Sequence, residues 1–148
     1  MKPLNEFKMT LLSCSANEAF ARVTVSAFIT QLDPTLDELS DIKTAVSEAV
    51  TNCIVHAYPD RIGKVYLSAG ICPDRRVTVK IRDTGCGIPD IHKAMEPLFT
   101  TAGGERAGLG FAVMQSFMDK LTVRSTPGKG TTVTLSKALS RRVRTDAR

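Results

Sequence analysis

Residues 44–58 constrain the fold of this chain more than any other stretch, because they combine a core-facing helical pattern with a regular polar flank. At about 100° per residue on an α-helix, a single apolar stripe is formed by Ala45, Val46, Ala49, Val50, Cys53 and Ala57. Glu48, Asn52 and His56 follow one another at i, i+4 and i+8 beside that stripe. The pattern predicts a helix that packs on a core and carries a polar ladder along its edge.

Glu48 and Asn52 lie one helical turn apart, and this pair suits a site that handles a cation and a hydroxyl group. A carboxylate can take a proton, and an amide oxygen is a hard ligand for a divalent cation. A solvated helix flank explains the same spacing, and this stretch alone does not decide between the two. His56 extends the ladder, although we expect it to pack at the end of the helix.

The length of 148 residues and the hydrophobic content of 43% predict one domain, residues 1–139, followed by a basic, disordered tail, residues 140–148. No run approaches the roughly 20 apolar residues of a membrane span, and no signal peptide is recognisable, so we expect a cytoplasmic protein without membrane contact. Much of the formal charge of +5 comes from the arginines of the tail, and the sequence contains no tryptophan. Because nucleic-acid binders combine basic and aromatic residues over a surface, direct nucleic-acid binding is not expected. The four cysteines form no CxxC pair, so we expect neither a zinc site nor disulfides.

Alternating and helical periods predict an α+β fold with the element order β-α-α-β-β-α-α-β-β. Clustered hairpins indicate a mixed, mostly antiparallel sheet, and its helices can cover only one face, which predicts a two-layer α/β sandwich. The first helix has predicted apolar positions at Ala19, Phe20, Val23, Phe28 and Ile29. The predicted strands are 7–12, 63–69, 76–82, 121–125 and 131–136. The first two predicted helices begin after residues 17 and 35 and end near residues 31 and 58, and the other two span 89–95 and 109–118.

Three glycine motifs follow the polar ladder. D-T-G-C-G at residues 83–87 comes directly after a predicted strand, where glycines let the backbone approach a ligand and an aspartate can accept a hydrogen bond from an amine such as that of adenine. G-L-G at residues 108–110 opens a helix, whose free amides favour phosphates. G-T-T at residues 130–132 starts the last strand. Taken singly, each motif is also explained by a turn, a helix cap or a hairpin.

In this order and at these separations, the motifs resemble the ATP-binding domains shared by gyrase, heat-shock chaperone ATPases, mismatch-repair ATPases and histidine kinases. The sequence has no Walker GxxxxGK[ST] motif and no HRD or DFG motif, so the other common phosphate sites are not the models. The resemblance implies a Bergerat-type ATP-binding fold that binds ATP or ADP with Mg²⁺.

The resemblance also implies a role for each motif. Glu48 would be the catalytic residue that orients or deprotonates an attacking serine hydroxyl, and Asn52 would hold the Mg²⁺. Asp83 would read adenine, assisted through water by Thr131 or Thr132. The other implied nucleotide contacts are glycines and residues of a glycine-rich lid, namely Gly85, Gly87, Gly108, Gly110, Thr100, Thr101 and Arg106.

From residue 17 to about residue 139, the chain resembles the anti-sigma F factors of endospore-forming bacteria, a family of serine kinases. ANEAFARVTVSAFITQLDPTLDELSDIKTAVSEAVTN and EPLFTTAGGERAGLGFAVMQSFMD carry the likeness. It implies that the protein inhibits a sporulation RNA polymerase sigma factor, sigma F, and phosphorylates a serine of an anti-anti-sigma protein. Arg22, expected on the outward side of the first helix, would contact both partners. The resemblance further implies a homodimer through the N-terminal strand and helix.

Three alternatives stay open. A kinase of the general-stress branch would share every ATP motif, and only the first helix and the L-D-P-T-L-D-E-L turn favour the sporulation branch. A nucleotide-gated module would bind the sigma factor without any phosphate transfer. A histidine-kinase catalytic domain would need a phosphoacceptor helix pair, and His56 and His92 do not supply one.

Overall fold

A computed structural model describes residues 2–96 and 106–140, without the side chains of residues 106–109. The helices and strands follow one another in the predicted order, which confirms the α+β assignment. They are β1 (Asn5–Leu12), α1 (Ala16–Ile29), α2 (Leu36–Asn52), β2 (Lys64–Ile71), β3 (Arg76–Asp83), α3 (Ile91–Met95), α4 (Arg106–Phe117), β4 (Lys120–Thr126) and β5 (Gly130–Ala138). A 3₁₀ turn (Thr30–Leu32) follows α1, and a π-helical turn (Cys53–Ala57) follows α2.

The five strands form one sheet in the order β1-β2-β3-β5-β4. Every ladder between them is antiparallel, so the sheet that was predicted as mixed is antiparallel across the described residues. Successive side chains of a strand point to opposite faces. The inner face buries Val79, Ile81 and Leu135 beneath the helices, whereas the outer face carries Lys80, Arg82 and other polar residues. The predicted two-layer sandwich is thereby confirmed.

The central helix α2 begins at a capping box formed by Thr35 and Glu38. Thr35 Oγ1 accepts the Glu38 N–H at 3.1 Å, and a carboxylate oxygen of Glu38 accepts the Thr35 N–H at 2.9 Å. These two bonds satisfy amide groups that the first turn of a helix leaves without partners. The buried side chains of α2 confirm the predicted apolar stripe, and they are Ile42, Ala45, Val46, Ala49 and Val50.

The prediction of one α-helix up to residue 58 is wrong in its last turn. α2 ends at Asn52, and the chain continues as the π-helical turn Cys53–Ala57. His56 is exposed on this turn, so the packing role expected for it is also wrong. The Ala57 carbonyl accepts the Cys86 N–H at 3.1 Å. The end of the central helix is therefore tied to the first glycine motif, a long-range contact that helical periodicity does not reveal.

Three of the five residues predicted as core positions of α1 are exposed instead. α1 packs against α2 and β2, and the side chains that it buries are Ala21, Val25 and Ile29. Phe20 and Val23, predicted as core positions, are 52% and 57% exposed, and Ala19 is exposed as well. A helix that is covered on one side buries only a narrow stripe, so its remaining apolar residues form an uncovered surface.

Ser140, the first residue of the predicted tail, is hydrogen-bonded to the rest of the chain. Ser140 donates its N–H to Glu38 Oε2 at 2.6 Å, and its carbonyl accepts Arg75 Nε at 3.0 Å. Ser140 is therefore attached to the start of α2 and to the β2–β3 turn, and residues 141–148 lie outside the described residues. Within the part of the chain that the structure describes, none of the helices has the length and apolar character needed to cross a membrane.

Candidate nucleotide-binding site

A cavity of about 160 Å³ opens between the end of α2, the end of β3, the start of β5 and α4. Asn52, Asp83 and Thr131 bring polar groups to its lining from three different elements. Much of the remaining lining is apolar, with Ala49, Cys53, Ala57, Ile88, Phe111 and Val133. Apolar walls with a few convergent polar groups suit a flat heterocyclic ligand.

Asp83 is the last residue of β3 and lies on the inner face of the sheet, opposite Thr131 of β5. The residue is only 5% exposed. Its Oδ1 accepts the N–H of Gly85 at 3.0 Å and the N–H of Thr131 at 3.2 Å. Its Oδ2 accepts the thiol of Cys53 at 3.5 Å. Because each carboxylate oxygen can accept two hydrogen bonds, Oδ2 retains the capacity for one more donor.

The two adjacent threonines of the last glycine motif face opposite sides of the sheet. Thr131 is buried on the inner face, where its Oγ1 lies 2.8 Å from Ser125 Oγ. Thr132 is in register with Arg82 and Arg124, whose side chains occupy the outer face. Of the two alternatives left open by the sequence, only Thr131 brings its side chain to the cavity.

Glu48 and Asn52 lie side by side where α4 approaches α2 at Gly110. A β-carbon on Gly110 would lie 3.3 Å from Glu48 Oε1 and 3.4 Å from Asn52 Oδ1. Nδ2 of Asn52 is buried and has no hydrogen-bond partner among the described residues. Leaving such a group unpaired costs about 1–3 kcal/mol. The Asn52 amide is therefore not locked in place, and either of its ends can turn to a ligand.

The first glycine motif packs tightly against the protein itself. A β-carbon on Gly85 would collide with the Ala57 carbonyl oxygen, and one on Gly87 would collide with the Thr126 carbonyl oxygen. Gly87 also has a φ of +77°, which glycine adopts without strain. The Gly85 N–H is used by Asp83, so Gly85 is explained by internal contacts rather than by approach to a ligand. Gly87 lines the cavity.

The second glycine motif lies inside α4, because this helix begins at Arg106, earlier than predicted. Gly108 falls in the first turn, whose amides have no partner within a helix, whereas Gly110 falls beyond it. The absence of a side chain at Gly110 leaves space beside Glu48 and Asn52 of α2, and the role of Gly110 in nucleotide binding stays a prediction. Thr100 and Thr101 lie outside the described residues, as does the side chain of Arg106.

Two residues that sequence reasoning did not select hold the site together. Cys53 belongs to the predicted apolar stripe, yet its thiol donates to Asp83. Burial, followed by the negative charge of Asp83, raises the pKa of the Cys53 thiol well above its ordinary value, so the thiol keeps its proton. Tyr58 accepts the Thr84 N–H at 2.7 Å with its hydroxyl. Both contacts join distant parts of the chain, and no local sequence pattern signals them.

Arg22, predicted to lie on the outward side of α1, is only partly exposed, with 33% of its side chain accessible. Its Nε donates to Glu18 Oε2 at 2.9 Å, and the same oxygen accepts the Ser47 hydroxyl at 2.6 Å. The Ser47 hydrogen bond lowers the pKa of Glu18 and outweighs the effect of burial, and Arg22 lowers it further. Arg22 thus belongs to a small polar network that joins α1 to α2.

Comparison with known proteins gives the class of this domain. Residues 14–137 match the family described as the histidine kinase-like ATPase domain, which implies nucleotide binding. The anti-sigma F factor of Caldanaerobacter subterraneus subsp. tengcongensis is 56% identical over 138 residues, which cover 93% of this chain and 96% of that protein. The anti-sigma F factor of Bacillus subtilis (strain 168) is 52% identical over 139 residues, or 93% and 94% of the two chains. The chain belongs to the anti-sigma F factor family.

Solved structures share the fold at low sequence identity. The RsbU and RsbW domains of Rv1364c from Mycobacterium tuberculosis match with a TM-score of 0.71 and 20% identity, over 98% of this chain and 35% of that chain. The histidine kinase domain of the blue-light activated histidine kinase from Erythrobacter litoralis EL346 matches with a TM-score of 0.54 and 24% identity, over 82% and 60% of the two chains. These likenesses confirm the fold alone.

Proposed function

We propose that this protein is an ATP-dependent serine kinase that also acts as an anti-sigma factor in the cytoplasm. It binds and inhibits a sporulation sigma factor of the sigma F type, and it phosphorylates a serine of an anti-anti-sigma protein. The observation that carries the proposal is the 56% identity to an anti-sigma F factor along nearly the whole chain. The position of Glu48 and Asn52 next to Gly110, with Asn52 and Asp83 lining one cavity, supports it.

The adenine base binds in the apolar cavity, with its exocyclic amine donating to Oδ2 of Asp83. The remaining acceptor capacity of Oδ2 supports this orientation, since Oδ1 already accepts two backbone amides. Thr131 assists through a bridging water, because its buried hydroxyl lies at the same end of the cavity.

The phosphates extend toward Glu48, Asn52 and the first turn of α4. When bound, Mg²⁺ neutralises charge on the transferring phosphoryl group. The Asn52 amide fits this ion, since its oxygen is a hard ligand and its Nδ2 has no partner among the described residues that would hold the group in one orientation. No three His, Cys, Asp or Glu side chains converge on a metal site within the described residues, and the side chain that would hold the ion is Asn52. Glu48 accepts the proton of the serine hydroxyl or orients it.

The partner contacts and the homodimer lie on α1 and β1. Phe20, Val23 and Leu12 are each more than half exposed, and β1 is an edge strand of the sheet. An uncovered apolar surface beside an open strand edge favours pairing with a second copy of the chain. Arg22 contacts the sigma factor and the anti-anti-sigma protein, because a guanidinium group suits acidic protein surfaces.

The kinase activity is tested by mixing the protein with Mg²⁺-ATP and an anti-anti-sigma protein, and by reading the intact mass of the partner. One added phosphate is expected with the wild type and with Asp60→Asn, a matched change at an exposed residue between the π-helical turn and β2. Glu48→Gln should slow the transfer by about 100-fold or more. Transfer at the wild-type rate by Glu48→Gln would exclude the role of Glu48.

The same assay separates the alternative functions. If ATP binds and no phosphate reaches the partner, the protein is a nucleotide-gated sigma-binding module. Competition between a sporulation sigma factor and a general-stress sigma factor for the ATP-bound protein decides the branch. Preference for the stress factor would contradict the proposed partner while leaving the kinase chemistry intact.

A further inference from the structure

Cys53 has access to the same carboxylate oxygen as the proposed ligand. Cys53 is only 3% exposed, and its thiol donates to Oδ2 of Asp83 at 3.5 Å. Oδ1 of Asp83 is already occupied by the amides of Gly85 and Thr131. Cys53 also lines the cavity. The thiol and a ligand in the cavity therefore share Oδ2, and the strength of one hydrogen bond affects the other.

We infer that Cys53 is a positioning residue that sets how strongly Asp83 selects an adenine base. The inference rests on the proposed function, in which the exocyclic amine of adenine donates to Oδ2. A thiol is a weak donor, so it orients the carboxylate and leaves most of the accepting capacity of Oδ2 to the amine. A hydroxyl group at the same position would use more of the hydrogen-bond accepting capacity of Oδ2, and a methyl group would use none of it.

The surroundings of Cys53 keep its thiol in the donor role. Its backbone begins the π-helical turn and donates to the carbonyls of Ala49 and Val50, which fixes the position of the side chain. Ionisation of the thiol would place two negative charges in contact inside the protein, and both burial and Asp83 oppose it. The thiol therefore keeps its proton and donates it to Oδ2 of Asp83.

The inference is tested with Cys53→Ser and Cys53→Ala in the full chain. Calorimetric titration gives the dissociation constants of ATP and of purine riboside triphosphate, which lacks the exocyclic amine. The readout is the ratio of the constant for the analogue to the constant for ATP. We expect Cys53→Ser to lower this ratio roughly two- to fivefold and Cys53→Ala to raise it by a similar factor. Cys72→Ser, which changes a partly exposed thiol in the β2–β3 turn, away from the cavity lining, should keep the wild-type ratio.

The opposite signs distinguish hydrogen-bond sharing from simple packing. Serine and alanine both remove the bulk of the sulfur atom, so a packing role would weaken both nucleotides together and leave the ratio unchanged in both variants, which would overturn the inference. A wild-type ratio near one would also overturn it, because Asp83 would then not read the amine. In this titration, the proposed use of ATP fails only if the wild type binds no ATP, so its failure is distinguishable from the failure of the inference.

Discussion

The two ends of the candidate site are built differently. At the base end, formed by Asp83, Cys53 and Thr131, a buried carboxylate already accepts three hydrogen bonds. At the phosphate end, formed by Glu48, Asn52 and Gly110, the side chains are half-buried and the Asn52 Nδ2 has no partner among the described residues. The proposed base end therefore belongs to the folded core as much as to the site, whereas the proposed phosphate end has a polar group that is left without a partner in the described part of the protein.

The largest expected difference between the two ends is in stability. Asp83→Ala leaves two buried amides without their acceptor and should lower the free energy of unfolding by about 2–4 kcal/mol. Asn52→Ala removes a buried polar atom that has no partner in the described part of the protein, so it should leave that free energy unchanged or raise it. Urea unfolding without nucleotide measures both values. Equal losses would mean that the two ends are not built differently.

The glycines of the two ends sharpen the comparison. Gly85→Ala forces a methyl group against the Ala57 carbonyl and should cost about 1–3 kcal/mol of stability. Gly110→Ala lies in a helix, where alanine gains up to about 1 kcal/mol over glycine, and its methyl group meets only the ends of flexible side chains. We expect Gly110→Ala to keep the melting temperature and to weaken ATP binding, as thermal unfolding and calorimetry can check. A large loss of stability in Gly110→Ala would contradict the open character of the phosphate end.

A smaller effect is expected at alkaline pH. Because burial raises the pKa of the Cys53 thiol, the folded protein keeps a proton that the unfolded chain releases above about pH 8.5. The stabilisation is fully present below that pH and is lost as the pH rises toward the pKa of the folded state, by at most about 1.4 kcal/mol per pH unit. Urea unfolding between about pH 8 and 10 should show a shallower decline for Cys53→Ala than for the wild type. Parallel declines would show that the thiol does not titrate differently on folding.

The local parts of the fold were predictable from sequence because short-range physics determines them. The capping box of Thr35 and Glu38 and the alternation of the strands each involve only a few neighbouring residues. The exposure of Phe20 and Val23 was not predictable, since it depends on which neighbours α1 meets in the tertiary structure. Periodicity identifies an apolar residue, but it does not identify the element that covers it.

The site was predictable as a set of motifs and not as a geometry. The sequence places Glu48 and Asn52 one turn apart, and the structure adds that Gly110 faces both of them. The choice between Thr131 and Thr132 required the sheet register, which puts only one of them on the inner face. Cys53 carried no signal beyond its apolar character, because its bond to Asp83 joins residues far apart in the chain.

The most direct test of this account is the affinity for ATP with and without Mg²⁺ in the wild type, Asp83→Asn and Asn52→Ala. If the base binds at Asp83 and the metal-bound phosphates lie at Asn52, Asn52→Ala loses the gain in affinity that Mg²⁺ gives. Asp83→Asn keeps that gain and loses the preference for ATP over purine riboside triphosphate. Full retention of the Mg²⁺ gain by Asn52→Ala, together with an unchanged base preference in Asp83→Asn, would contradict the account.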